Sequence, residues 1–528
     1  MNKIFSLTTI LFILVFFSIS DSQNLPKYYK LDRTVPLTKS NSSNPSGNEV
    51  QDIVTVGDTI WIVTAKGLNM STDNGNSWKS FYDTETFGTE GVYTIGYDKY
   101  DKTFWASTGH NIDFQGEPLP KGTGLHYTTD NGNTWTSIPQ PVDSIYDSLL
   151  VYGINNGVDL PEVHALPITP TEQNVTYDIA FTPGTIWITS WSSGLRRSTD
   201  MGKTWQRVLL PPDYLNSLKP TDTVKFSLIP QRGKEGYLNY LAFSVVSVND
   251  STIYAGTVDG INKSNDSGIS WQKFNNENQN GKISGNWVKA LGFNSLTNSL
   301  WAATWRSEGN SEFNGISFTK DGGNTWNVFL KGENVWNFGF KGKDVIAATD
   351  DGPFRSSNEG ESWILPDSIY DKNTGVSFSL NSFYAAASNG NMVWLGSDQG
   401  LAKIAESSDQ MWVGNWKLFV ASRAVSSGIK AYVYPNPFSP NVDEKLIFKY
   451  STDGKEASVT IRIYDFGMNY VRTIIQNAPR NFNIDSGIEP VTWNGKDDGG
   501  NIVPNGVYFY CIDLNNGKKL YGKILVIK

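Results

Sequence analysis

Ser71-Thr72-Asp73-Asn74-Gly75-Asn76-Ser77-Trp78 is the first clean copy of a phrase that recurs along the chain. Its pattern is a hydroxyl residue, any residue, Asp, any, Gly, any, Ser or Thr, then Trp. Intact copies return at 128–135, 198–205, 264–271 and 319–326. A sixth, at 356–363, carries Asn358 where the others carry Asp. A seventh is frayed: Ser407 and Asp409 are in place, but the tryptophan is delayed to Trp416. Self-similarity at a period of tens of residues marks a repeat architecture. Each copy is called a box below.

Aligned on the boxes, the chain divides into seven units, roughly 49–80, 93–138, 176–208, 240–274, 287–330, 334–365 and 381–419. Each unit holds four short apolar-alternating segments bounded by Gly, Asn, Pro or Asp, the pattern of antiparallel strands. Four strands per unit without crossover helices predict an all-β chain and a β-propeller, most simply seven-bladed. Six blades plus an irregular element is the competing count. The box falls in the hairpin between the third and fourth strands. There Gly is expected to take a positive φ, Asp to accept backbone N–H groups, and Trp to fill the gap between blades. The structural positions are therefore Asp73, Trp78, Asp130, Trp135, Asp200, Trp205, Asp266, Trp271, Asp321, Trp326, Asn358 and Trp363.

The phrase resembles the Asp-box, or bacterial neuraminidase repeat, of sialidases, the xyloglucanase family, sortilin-type receptors and many non-enzymatic propellers. The resemblance implies a fold more than a function. A sialidase would need an arginine cluster, a Tyr nucleophile beside a Glu, and an opening Arg-Ile-Pro phrase. Here only Arg33-Thr34-Val35-Pro36 is faintly similar, and it lies in a polar stretch. A xyloglucanase-like enzyme would be expected to have two propellers, and 528 residues leave room for one.

Composition narrows the function classes. A net charge of −8 and a pI near 5.2 argue against a nucleic-acid partner, which normally needs a basic face. Three His with no close pair and one Cys give no metal site of the usual kind, no P-loop signature occurs, and no cofactor is expected. The lone Cys511 excludes an internal disulfide and is expected to be a buried, inert thiol.

Box register also assigns the faces of the disc. The connections beside the boxes are short, as in Thr182-Pro183-Gly184, whereas the long insertions (107–122, 139–175, 209–240, 306–314 and 366–380) all fall on the opposite face. Long loops on a rigid scaffold are where binding or catalysis is usually placed. That face offers Trp191, Trp305, Arg306, His110 and His164 as candidate binding residues, since aromatic faces stack on sugar rings. Asp113, Glu117, Asp159, Glu162 and Glu308 are candidate acids for glycoside cleavage, which needs a correctly spaced carboxyl pair. The plainer reading makes most of them solvated loop charges.

The ends carry addresses. Lys3 followed by the apolar run 4–17 and small residues at 18–20 reads as a signal peptide over 1–22, too short for a membrane span. A polar tether (23–48) precedes the propeller (49–420), and a linker (421–430) precedes a module at 431–528 read as an Ig-like β-sandwich. Tyr434-Pro435-Asn436-Pro437-Phe438, Trp493-Asn494-Gly495 and Pro504-Asn505-Gly506-Val507-Tyr508 together resemble two families: the Ig-like domain of flagellar hook-capping proteins and the C-terminal sorting domain of type IX secretion cargo. The second resemblance implies passage through the periplasm of a Gram-negative bacterium, by way of its secretion machinery, to the surface or medium. The expected protein is an exported propeller holding a glycan or protein partner on its long-loop face; the alternative is a secreted glycoside hydrolase using the loop carboxylates.

Overall fold

The structure is a computed structural model, and it describes residues 42–152, 162–222, 224, 227–228, 237–279, 281–406, 410–421, 431–443, 445–452, 456–480, 491–515 and 517–528. The signal-peptide reading, most of the tether and linker, Asp159, and Ser407 with Asp409 of the frayed box lie outside the described residues, as do the side chains of Glu162 and His164. The chain divides into two compact units, one over Lys39–Ala421 and one that takes in Ser422–Lys528.

The first unit is a β-propeller. Seven antiparallel sheets follow one another along the chain, and their innermost strands are Val50–Val56, Gly91–Asp98, Asp178–Thr182, Ala242–Ser247, Trp287–Asn294, Val335–Lys341 and Phe383–Asn389. Each innermost strand packs against that of the next sheet, and the seventh packs against the first. The sheets are numbered here as blades 1 to 7. Blade 4 also takes in the short strand Ser217–Leu218 from the insertion before it, and no strand is exchanged between the first and seventh blades, which close the ring.

The letters of the box follow from its hydrogen bonds. Asp73 accepts from the Ser71 hydroxyl (2.7 Å), from the backbone N–H groups of Asn76 (2.9 Å) and Ser77 (2.8 Å), and from the Ser77 hydroxyl (2.7 Å), while Gly75 N–H donates to Ser71 (2.8 Å). Asp130, Asp200, Asp266 and Asp321 repeat the hydroxyl and position-seven contacts. Asn358 keeps them by accepting from Ser362 N–H and donating to its hydroxyl, both at 3.0 Å. Glycine is not alone in the left-handed region, because the residue before it joins it: Asn74, Asn131, Met201, Ser267 and Glu359 all have φ of 55–60°. The carboxylate or amide fan holds these residues where their own side chains would not choose to be.

Box tryptophans reach backwards. Trp135 of blade 2 stands edge-on to Trp61 of blade 1 (6.0 Å, 87°), and Trp363 of blade 6 meets Trp301 of blade 5 in the same way (6.0 Å, 88°). Trp416, the displaced tryptophan of blade 7, sits in one cluster with Ile346 and Ala348 of blade 6. The spokes are therefore apolar joints between neighbours, about 0.5–1.5 kcal/mol apiece beyond simple burial for an aromatic pair.

Two insertions differ from plain loops. The stretch 107–122 extends the second and third strands of blade 2 (Thr103–Phe114 and Glu117–Thr128) into a long hairpin arm, turned by Gln115 and Gly116 at φ 57° and 89°. Two consecutive positive φ values suit the right-handed twist of the arm. Strands Leu149–Val151, Glu162–Ala165 and Ser227–Leu228 from the next two insertions form a small sheet of their own. Asp143 ties this region to blade 3, pairing with buried Arg196 (2.8 Å) and with Arg207 (3.2 Å).

The C-terminal unit has sheets of three and four strands around one core that includes Phe438, Phe448, Trp493 and Tyr510. Two of its quoted motifs meet: a Cβ on Gly495 would stand 2.5 Å from Pro440 and 3.1 Å from Phe438. In the strand Gly506–Asp513 the two-residue period turns Tyr508, Tyr510 and Ile512 inward, which leaves Cys511 half-buried on the other side instead of buried.

Candidate functional site

The site is built from one irregularity repeated around the ring. The innermost strands of six blades slip register at the same place near their start, and in blade 3 Tyr177 N–H donates to Thr189 C=O (2.9 Å) although Asp178 already faces Thr189. A β-bulge re-aims a side chain. The residues at these slips are Gln51, Tyr93, Tyr177, Phe243, Lys289, Trp336 and Tyr384, and all seven line a central cavity of about 610 Å³. Because the innermost strands begin on the face of the long insertions, this mouth of the channel opens there.

Aromatic rings run around the mouth in a continuous arc. Tyr93 meets Tyr177 (6.3 Å), Tyr177 meets Phe243 (5.5 Å), and Phe243 meets Trp287 (5.4 Å). Trp287 then meets Trp305 (6.2 Å), Trp305 meets Trp336 (4.8 Å), and Trp336 meets Tyr384 (6.0 Å). Polar anchors fix the last rings: Trp305 Nε1 donates to Val335 C=O (3.0 Å) and Trp336 Nε1 to Asp350 (2.7 Å). Lys289 Nζ lies within this arc, 4.8 Å from the centroid of Phe243, 4.9 Å from Trp287, 5.5 Å from Trp305 and 6.0 Å from Trp336. Burial among rings lowers the pKa of its ammonium.

Next to the bulge, blades 1, 3 and 6 carry Asp52, Asp178 and Asn337. Each accepts the N–H of its own following residue at 2.8 Å, and the two acids also bond a later blade, Asp52 to Ile95 N–H (3.3 Å) and Asp178 to Val245 N–H (2.8 Å). Both line the channel. Burial is the main cause that pushes Asp52 up to about 6 and Asp178 up to about 7, with the charge of Asp52 adding to the second.

The residues singled out from sequence scatter around this arrangement. Trp305 is part of the arc, and half-buried Trp191 stands edge-on to Phe243 (5.4 Å) with its other side on the cluster of the insertions. Arg306 is exposed just beyond Trp305, its N–H held by Asn314 (2.7 Å). His110 pairs with Glu90 (2.8 Å) on the blade 2 arm, exposed. Asp113 caps the tip of that arm by accepting from Gly116 N–H (3.0 Å), Glu117 begins its return strand, and Glu308 is exposed in the blade 5 loop, three blades away. The backbone of Glu162 and His164 is in the small sheet of the insertions. Among the described residues no group of three or more His, Cys, Asp or Glu is placed to hold a metal ion. Sequence reading missed the bulge residues, although Tyr93, Tyr177, Phe243, Trp336 and Tyr384 all stand near the start of the first strand of their units, a periodic aromatic that alignment on unit starts would expose.

No protein-family model matches the chain. A xyloglucanase from Paenibacillus sp is 22% identical over 235 residues, which is 40% of this chain; the chain spans 20% of the length of that relative. Among solved structures, an ancestral GH74 enzyme aligns at a TM-score of 0.49 and 14% identity, over 92% of this chain and 63% of the other. PorZ, described as an essential bacterial surface component of the type-IX secretion system of Porphyromonas gingivalis, aligns at 0.32 and 14%, over 91% and 66%. YCF48 from Cyanidioschyzon merolae aligns at 0.38 and 14%, over 69% and 93%. These neighbours share the β-propeller fold. Among the described residues no helix is long and apolar enough to cross a membrane.

Proposed function

We propose that this chain is an exported β-propeller that holds a glycan at the long-loop mouth of its channel, delivered by an Ig-like C-terminal sorting module. The observation that carries the binding reading is the arc from Tyr93 to Tyr384, a run of rings around a cavity large enough for a small oligosaccharide. Sugar rings present C–H faces that stack on such rings, and Gln51 and Asn337 at the same level can bond hydroxyls. The partial match to a xyloglucanase is in keeping with a carbohydrate ligand. A protein partner that inserts side chains at the mouth would use the same surface.

A hydrolytic reading has one observation in its favour, the raised carboxyls of Asp52 and Asp178 in the channel. Their backbone bonds weigh against it, since each already has two N–H donors and Asn337 fills the same place in blade 6. A glycan panel read both for binding and for released reducing ends separates these readings. Binding without turnover supports a receptor; turnover abolished by Asp52→Asn or Asp178→Asn supports an enzyme; no glycan bound at all removes both. Export is tested separately, by asking whether the protein still reaches the medium or surface after deletion of Tyr434 to Lys528.

A further inference from the structure

We infer that Lys289 is an anion receptor and that the mouth takes a glycan bearing carboxylate groups, a uronate-containing oligosaccharide; this rests on the glycan reading above. The half-buried lysines elsewhere in the propeller show what the fold normally does with an ammonium. Lys79 lies over Phe81 (4.8 Å) and still donates to Gly132 C=O (2.9 Å). Lys263 lies over Tyr254 and donates to Gly322 C=O (2.9 Å), and Lys403 lies over Trp394 and donates to Asn74 C=O (2.7 Å). Lys289 has four rings around it and, among the described residues, neither an acceptor nor a carboxylate partner. Ring faces attract the charge but cannot take up three N–H donors. A half-buried ammonium without a protein acceptor must take its oxygens from what fills the cavity.

The position of Lys289 says what that something is. It is the one charged residue among the seven bulge positions, and it points into the cavity. A ligand stacked on Trp287, Trp305 or Trp336 would carry its own substituents to the ammonium. A singly charged carboxylate suits the channel better than a doubly charged phosphate, because Glu49, Asp52 and Asp178 also line it and, among the described residues, Lys289 is the one cation in its lining. A pyranose that stacks by its C–H face and bears a carboxylate is a hexuronate.

The test uses the full chain with oligogalacturonate and oligo-alginate, each beside its methyl ester, and a neutral cello-oligosaccharide. Wild-type protein should bind at least one of the acids at least tenfold more tightly than its ester. In Lys289→Met, which keeps the aliphatic packing, that preference should vanish while the thermal midpoint holds. Equal affinity of acid and ester in the wild type, or a preference that survives Lys289→Met, overturns the receptor role and leaves the glycan-binding mouth standing. Failure of all the sugars, neutral one included, removes the glycan reading itself. Should Lys289→Met not fold, the acid-against-ester comparison on the wild type still decides.

Discussion

A Cβ added to Gly75, in the box of blade 1, would stand 2.7 Å from Cη2 of Trp394 in blade 7. That contact is the ring's closure. Blade 1 comes from one end of the propeller chain and blade 7 from the other, and no strand is shared between them. What joins them is the ordinary spoke contact: Trp78 edge-on to Trp394 (6.4 Å, 86°) and to Phe419 (5.8 Å, 77°), with Lys403 and Lys417 donating to the backbone of Asn74 and Gly75. Gly268 on Trp187 in the blade 3–4 joint shows the same geometry at 2.5 Å.

Gly75→Ala should therefore destabilise closure in particular. Its φ of +80° is strained for any L side chain and the ring of Trp394 has to move, together about 2–4 kcal/mol. Gly57→Ala is the control: its φ is +58° with nothing within 4 Å, so it bears only the backbone cost of about 1 kcal/mol. Chemical denaturation of both variants checks this, and equal midpoints would show that the contact does not bear on closure.

Much of this was legible in the sequence, for a physical reason. A box is a local device: Asp73 reaches only from Ser71 to Ser77, so its letters are written side by side. The seven units, their strand order and the face of the long insertions all follow from that register. The mouth is different. Gln51, Lys289 and Trp336 meet only after the ring has closed, and each is aimed by a bulge, a one-residue slip that leaves no mark of its own in the alternation of the strand. The acids of the insertions are conspicuous in the sequence because they stand in long loops, yet Asp113 merely caps its own turn.

Trp336→Ala should weaken glycan binding at least tenfold, about 1.4 kcal/mol, as expected for a central aromatic anchor. Its ring lies 4.8 Å from Trp305 and 6.0 Å from Tyr384 and beside Lys289, so its loss separates Tyr384 from the rest of the arc. Titration calorimetry with the glycan panel measures it. Arg306→Ala, exposed outside the arc, should change affinity far less; the reverse order would move the site away from the channel.

Stability should show a peak in pH. The channel acid Asp178, pushed up to about 7, holds its proton more tightly in the folded state than in the unfolded chain, where the ordinary value is 3.8. The native state therefore binds more protons between about pH 4 and pH 7, and stability falls as pH rises through that window. The box acids act in the opposite sense. Asp73, Asp130 and Asp200 are held at about 2: in Asp73 desolvation, the largest single effect, is outweighed by the combined hydrogen bonds of Ser77, Ser71 and Asn76, and in Asp130 and Asp200 the Thr134 and Thr204 hydroxyls lead, so their contribution is lost as pH falls from about 4 toward 2. Thermal midpoints from pH 2 to 8 should peak near pH 4. Asp178→Asn, which copies what blade 6 already has at Asn337, should raise the midpoint above pH 7 and leave it unchanged below pH 4. An unchanged slope would mean that Asp178 is not the group that titrates.

Asp143 ties the insertion at 139–175 to blade 3. Asp143 faces Arg196, whose side chain is 1% exposed, and Arg207, at 4%, and also accepts the N–H of Ile168 (2.8 Å). Removing it leaves two buried guanidinium groups without their counter-charge, a loss of about 3–5 kcal/mol when one partner of a buried pair is deleted. Because Arg196 and Arg207 belong to blade 3 while Asp143 belongs to the insertion, the damage should first appear as release of the insertion, not as global unfolding. Asp143→Ala should thus make the segment around 140–170 open to limited proteolysis at temperatures where the propeller resists. Asp143→Leu with Arg196→Met and Arg207→Met, which replaces the acid and both of its partners by apolar volume, should restore much of the protection, since a buried ion pair is often no better than a well-packed apolar one. If the triple variant is cut as readily as Asp143→Ala, the charge itself, and not the packing it permits, is what holds the insertion down.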